Sequence, residues 1–308
     1  MILCCGEALI DMIPAPTTTG RQGYVPYCGG AVFNTAIALG RLGIPAGLLT
    51  GLSRDLFGQQ LAAELRASGV DTASVVTSDR PTTLAFVNVQ DGQATYTFYD
   101  ENSAGRMLQA DDLPAVPGGV SALYMGGISL AWEPAADAYA ALLEREGHGR
   151  VVMLDPNIRH RFIKDVGRYR ARLDRMIGQA DIVKVSDEDL DWIIPGAASP
   201  AEKAEQVRQL GPAIVIVTYG SQGSKAYLRD GTMAVAKAET VQVVDTVGAG
   251  DTFNAGVLAK LHQLGALAKD ALTGLSAPSL EQALAFGARV AAVTVSRAGA
   301  NPPWAHEV

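Results

Sequence analysis

Basic charge, metal-binding side chains and long apolar runs are all scarce in this sequence. Lys and Arg number 25 against 32 acidic residues, for a net charge of −7. That balance disfavours non-specific nucleic-acid and anionic-membrane binding. The four histidines (His148, His160, His262 and His306) are scattered, and no HExxH or similar metal signature occurs. The three cysteines, Cys4, Cys5 and Cys28, form no CxxC pattern. Their odd number and the adjacent pair predict a reducing, cytoplasmic setting. No apolar stretch approaches the roughly 20 residues that span a bilayer. The opening MILCCGEALIDMIP lacks a basic n-region and is interrupted by Glu7 and Asp11, so it reads as a buried strand rather than a signal peptide. Internal repeats and low-complexity segments are absent as well.

What is present is enough apolar material for a sizeable core. The 308 residues are 48% hydrophobic and 19% charged, enough for one large α/β domain or two smaller ones. Short apolar runs at 2–5, 48–52, 122–125, 151–155, 182–185 and 214–218 read as buried strands. They alternate with helical patterns at 34–42, 57–68, 135–146, 169–178, 200–210, 252–264 and 280–295. This alternation predicts a mostly parallel sheet with helices on both faces. Two stretches break the pattern. Residues 12–32 are rich in Gly, Pro, Thr and Tyr, and TTLAFVNVQDGQATYTFY (82–99) reads as a hairpin around Asp91-Gly92. Together, 12–32 and 82–102 are expected to form a small β flap or an ordinary edge extension, with 1–11, 33–81 and 103–308 as the α/β body. A flap over such a sheet suits a lid that excludes water.

The most informative stretch is DTVGAGDTF, from Asp245 to Phe253. The first-turn amides of a helix have no partner inside it, and with the helix dipole they attract an anion. Gly248 and Gly250 let a ligand approach that backbone. A carboxylate at Asp251 would be repelled there unless it takes a proton from a hydroxyl attacking the bound phosphorus. The plain alternative is a glycine turn with a helix cap.

Four other segments have the same character. GGAVFNTAIALGRLG (29–43) sets Gly29 and Gly30 ahead of a helix bearing Asn34, whose amide can both donate to and accept from a polyhydroxylated ligand. It is also how any capped helix begins. GEALID puts Glu7 and Asp11 at the end of the first strand, where open parallel sheets bind ligands and a carboxylate can accept sugar hydroxyls. LDPNIRHR follows another strand, with Asn157 facing a pocket and Arg159 able to meet a phosphate, or else a proline turn with surface arginines. VTYGSQGSKAY carries Thr218, Gly220 and Gly223 after a strand but fails the P-loop spacing, and no protein-kinase signature set occurs.

These segments resemble the ribokinase-like, PfkB-type carbohydrate kinases over nearly the whole chain. The early family signature is similar to Gly29-Gly30 with Asn34. The late one, D-T-x-G-A-G-D, matches Asp245, Thr246, Gly248, Ala249, Gly250 and Asp251. CCGEALIDMIP, GGAVFNTAIALGRLG and ATYTFYDENSAGRML are most similar to the family's bacterial fructokinases. The resemblance implies a ribokinase-like fold with a β-sheet lid and a kinase using ATP and Mg²⁺. It makes Asp251 the catalytic base and the amides of Gly248, Ala249 and Gly250 the anion hole. Asp11, Gly29, Gly30 and Asn34 become sugar-binding positions, with Phe98, Asp100, Asn157 and Arg159 near them. Thr218, Gly220, Gly223, Gly248, Gly250 and Ala288 fall on the nucleotide side. The lid mediates dimerisation in several relatives, so a homodimer through it is implied.

The chain departs from the family in three places. The N-x-x-E usual near the metal is replaced by Ser186 and Asp189, leaving Mg²⁺ to water-mediated contacts. Ala288 stands where relatives often carry an asparagine near the adenine. Pro303 offers no side-chain oxygen to the K⁺ that many relatives hold near Asp245. Within the family, kinases of 2-keto-3-deoxygluconate place an arginine after the lid aromatic pair. Here Phe98-Tyr99 is followed by Asp100, which would repel an acidic sugar, so D-fructose phosphorylated at O6 is expected. Ribose and nucleoside kinases are alternatives, and so is a non-catalytic sugar- or nucleotide-binding regulator on the same scaffold.

Overall fold

The computed structural model describes residues 1–90 and 93–308. The predicted turn at Asp91-Gly92 lies outside the described residues. In chain order the strands are β1 (Ile2–Cys5), β2 (Leu9–Pro16), β3 (Gln22–Gly29), β4 (Ala46–Leu49), β5 (Gly51–Ser53), β6 (Val76–Ser78), β7 (Leu84–Gln90), β8 (Gln93–Tyr99), β9 (Ala122–Gly126), β10 (Val151–Asp155), β11 (Ile182–Ser186), β12 (Ile214–Thr218), β13 (Ser224–Leu228) and β14 (Met233–Ala236). The helices are α1 (Ala31–Arg41), α2 (Leu56–Ala67), α3 (Ala135–Glu146), α4 (Val166–Gln179), α5 (Asp187–Ile193), α6 (Pro200–Gln209), α7 (Ala249–Gln263), α8 (Lys269–Thr273) and α9 (Ala277–Val295).

The main sheet has eight strands in the order β14-β13-β12-β11-β10-β9-β1-β4. From β4 to β12 every neighbour is parallel. Strands covered on both faces need no polar side, which is why their sequences are continuous apolar runs. In β1 the alternation of side chains sends Ile2 and Cys4 into one core layer and Leu3 and Cys5 into the other. Both cysteines are free and fully buried. The antiparallel hairpin β13–β14 extends the sheet beyond β12 and was not expected from the sequence. The apolar run 48–52 is two strands rather than one. It breaks at Thr50, and the second piece pairs with β6. No helix of the described residues is long and apolar enough to cross a membrane.

A separate four-stranded sheet has the order β3-β2-β7-β8. It contains both stretches that broke the α/β pattern. It starts earlier than expected, because β2 begins at Leu9. Asp11 therefore lies inside a strand of the small sheet, not at the end of β1. The register aligns Asp11 with Ala85, and Ala85 with Phe98. Cross-strand partners share a face, so Asp11 and Phe98 point to the same side.

The carboxyl ends of the parallel strands form a continuous rim. Along it Asp155 pairs in register with Gly126 of β9, and Ser186 with Thr218. The short helix α5 starts at this rim. Its cap is Ser186, whose hydroxyl accepts from Asp189 N, and its first turn is Asp187, Glu188 and Asp189. Acidic residues there suit the helix dipole. Seven residues are too few to show a helical period, so the sequence did not reveal it.

Candidate functional site

A cavity of about 350 Å³ opens between the rim of the main sheet and the small sheet. Asp11, Gly30, Asn34, Phe98, Asn157, Arg159, Gly248, Ala249, Gly250 and Asp251 all line it. Its size is that of a small-molecule site.

One end is the start of α7. Gly248 is the helix N-cap, with φ +78°, and a Cβ there would lie 2.7 Å from the Ala300 Cβ. Only glycine fits that turn, which sets Gly248, Ala249 and Gly250 against the cavity, the Ala249 amide donating to Thr246 O at 3.3 Å. Asp251 follows on the first turn with 8% of its surface exposed. Asn34 Nδ2 donates to its Oδ2 at 2.9 Å, and Thr35 Oγ1 donates to its carbonyl at 3.0 Å. These bonds tie the second predicted motif to the first across the sequence. Burial pushes the Asp251 carboxyl up to about 7, against the opposing effect of the Asn34 hydrogen bond. Asp155 and Glu7 push it further up, and Lys184 draws it down. A carboxylate titrating near neutrality can take a proton and release it again.

The wall toward the small sheet carries Asp11 and Phe98. Burial raises the Asp11 carboxyl to about 6. The Phe98 ring meets Trp132 and Phe162 edge-on, at centroid distances of 4.9 and 4.8 Å. Asn157 has φ +43°, and its loop is held by two carboxylates: Asp155 Oδ1 accepts from Asn157 N, and Asp189 Oδ1 accepts from Ile158 N.

Several expected site residues lie elsewhere. Asp100 is 5% exposed and does not line the cavity, because its carboxylate is paired with Arg106. It cannot repel an acidic sugar as expected, since Arg106 neutralises it. Glu7 borders the cavity, but its Oε1 accepts from Ala31 N and its Oε2 from Ser129 N. It braces the α1 N-terminus against the loop after β9, rather than offering two free oxygens to a sugar. Gly29 ends β3 beside the Asp11 carboxylate, outside the cavity. Thr218, Gly220 and Gly223 lie at the end of β12 and in its turn to β13, and Ala288 lies on α9, all outside the cavity.

Metal-binding geometry is sparse. Among the described residues no group of three or more His, Cys, Asp or Glu side chains could hold a metal ion. Asp189 is buried and holds the Ile158 amide, although burial and Asp155 raise its carboxyl to about 6. Asp245 accepts from Val247 N at 3.0 Å and from Gly299 N at 2.9 Å, closing the turn before α7. These residues do not fit a metal cage made by the protein alone.

Sequence reasoning missed Lys184, which reaches the cavity from β11. A signal existed: it is a lone charge in the middle of a strand otherwise buried and apolar. The exposed Tyr96 and half-buried Phe162 were also missed, since single aromatics outside a periodic run carry no pattern of their own.

Known proteins resemble this chain over most of its length. The family model described as pfkB family carbohydrate kinase matches residues 1–307. A fructokinase of Rhizobium leguminosarum bv. trifolii is 50% identical over 287 residues, covering 93% of this chain and 86% of the relative. The crystal structure of a Xylella fastidiosa fructokinase with bound ATP superposes with a TM-score of 0.88 at 28% identity, covering 97% of this chain and 93% of that one. A Vibrio cholerae O395 fructokinase, in a form with fructose, ADP and calcium ion bound, superposes at 0.82 with 25% identity, covering 97% and 94%.

Proposed function

The chain belongs to the pfkB family of carbohydrate kinases, and within that family we propose that it transfers the γ-phosphoryl group of ATP to the 6-hydroxyl of D-fructose. The observation that carries the reading is Asp251, buried beside the glycine turn and set near neutrality in a cavity of sugar size. Asp251 takes the proton of the attacking hydroxyl. The amides of Gly248, Ala249 and Gly250 receive the phosphoryl oxygens. Asp11, Asn34 and Asn157 offer hydrogen bonds to the sugar, Phe98 packs against it, and Arg159 borders it. ATP then runs from the glycine turn along the strand rim toward Thr218, Gly220, Gly223 and Ala288. Magnesium would come with the triphosphate and would neutralise phosphate charge, Asp189 being the one carboxylate proposed to reach it, through water. Asp245 would border a K⁺ ion, its two carboxylate oxygens each already accepting one amide of the surrounding turn.

The small sheet acts as the lid. Its exposed Tyr24, Tyr27 and Tyr99 are the surface that a lid-to-lid homodimer would cover. A cytoplasmic site of action fits the free Cys4 and Cys5 thiols.

The preference for fructose over 2-keto-3-deoxygluconate rests on the fructokinase relatives, because Asp100 does not face the cavity. A coupled ADP-release assay across fructose, tagatose, ribose, adenosine and 2-keto-3-deoxygluconate tests the reading. Fructose is expected to give the highest kcat/KM. An acidic sugar ahead by about tenfold, roughly 1.4 kcal/mol, overturns the substrate assignment. Absence of turnover with every sugar favours a non-catalytic binding protein.

A further inference from the structure

Lys184 is only 6% exposed, yet it borders the cavity. Its ammonium donates to Asp155 Oδ2 at 2.9 Å. The same oxygen accepts from Asn254 Nδ2 at 2.7 Å, and Oδ1 accepts from Asn157 N at 3.1 Å. Asp155 is therefore shared among three donors, while the ammonium has two further N–H bonds to direct elsewhere. A Cβ on Gly250 would stand 3.4 Å from Lys184 Nζ, so the charge lies against the first turn of α7. The cation and the glycine amides thus face one cavity from adjoining positions.

A buried ion pair that served stability alone could be replaced by two apolar side chains. Here the cation borders a cavity beside the glycine turn, and the described residues hold no protein-built metal cage. We infer that Lys184 is a catalytic residue that contacts the transferred phosphoryl group, supplying fixed positive charge beside the Gly248–Gly250 amides. The inference rests on the kinase reading above. Lys184 takes no part in the proton transfer. The hydroxyl oxygen forms its bond to phosphorus as the bond to the ADP oxygen breaks, and the hydroxyl proton goes to Asp251. Such a contact exists with the γ-phosphate of ATP and is missing with ADP. Fixed positive charge aimed at a transferring phosphoryl group acts mainly on the transition state.

Two variants break the same ion pair with opposite consequences for charge. Lys184→Met removes the cation, and Asp155→Asn keeps it. Calorimetric titration with ATP and with ADP, without sugar and in one magnesium buffer, reads the contact independently of which sugar is the substrate. In Lys184→Met, ATP affinity is expected to fall about tenfold more than ADP affinity, and kcat with fructose to fall about 10²–10³-fold. The fructose KM should stay within about threefold. Asp155→Asn is expected to lower the melting temperature yet retain the ATP-over-ADP preference. If Lys184→Met does not fold, Lys184→Gln, which can still donate to Asp155, takes its place. Equal loss of preference in both variants, or retention in both, makes Lys184 a structural partner of Asp155 and overturns the inference. Failure of the wild type to turn over fructose would instead overturn the substrate assignment, and leave the ATP and ADP titrations to judge Lys184.

Discussion

The two sheets differ in what covers them. Every residue of β1, β9 and β10 is buried, with helical layers on both sides. In the small sheet β3 is mostly exposed or half-buried, and Tyr24, Tyr27 and Tyr99 leave about half their surface to solvent. The difference matches a division of chemical labour. Groups whose direction and charge must be fixed stand on the densely packed body: Asp251, the glycine turn, Lys184 and the bracing Glu7. The small sheet adds Asp11, Tyr96 and Phe98 to the lining of the cavity, beside Asn34, Asn157 and Arg159 from the body. Packing locks the rotamers that directional chemistry requires. A sheet with a thin core opens at lower free energy and suits a surface that must admit a sugar.

The comparison predicts different kinetic signatures for the two regions. Asp251→Asn alters the body and should give the larger effect. Asparagine keeps the size and can still accept the Asn34 hydrogen bond. It cannot take the proton, so kcat should fall about 10²–10⁴-fold. Sugar KM and thermal melting should change little, because the lost interaction belongs to the transition state. A kcat within about fivefold of wild type, roughly 1 kcal/mol, would reduce Asp251 to a structural role.

Phe98→Ala alters the small sheet and should give the smaller effect. Loss of the ring and its edge-on packing against Trp132 and Phe162 should raise the fructose KM about tenfold, with kcat within about threefold. Steady-state kinetics over a range of fructose concentrations separates the two parameters. A fall in kcat comparable to that of Asp251→Asn would break the division between the regions.

Much of the body was legible because its physics is local. The runs at 2–5, 151–155 and 214–218 coincide with β1, β10 and β12, since strands buried on both faces must be continuously apolar. The helix start at Gly248 was legible because glycines directly before an apolar helical run mark one. The hairpin β7–β8 was legible from alternation. Pairings across the sequence were harder to read. Arg106 lies only six residues after Asp100, yet that spacing did not announce the pairing, and nothing near Glu7 announced the amides of Ala31 and Ser129. Neither fact follows from spacing. Helix α5 and the β13–β14 hairpin were too short for their periods to be seen.

On the proposed mechanism, burial holds Asp251 near neutrality, where it can act as a base. Desolvation is the largest cause of its raised value of about 7, and Asp155 and Glu7 add to it against Asn34 and Lys184. Only the deprotonated form accepts the hydroxyl proton, so activity must rise with pH through that value. The direct measurement is the pH dependence of kcat/KM for fructose at saturating ATP. A midpoint near 7 is expected, with activity falling about tenfold per pH unit well below it. A profile flat from pH 5 to 8 would rule out Asp251 as the base.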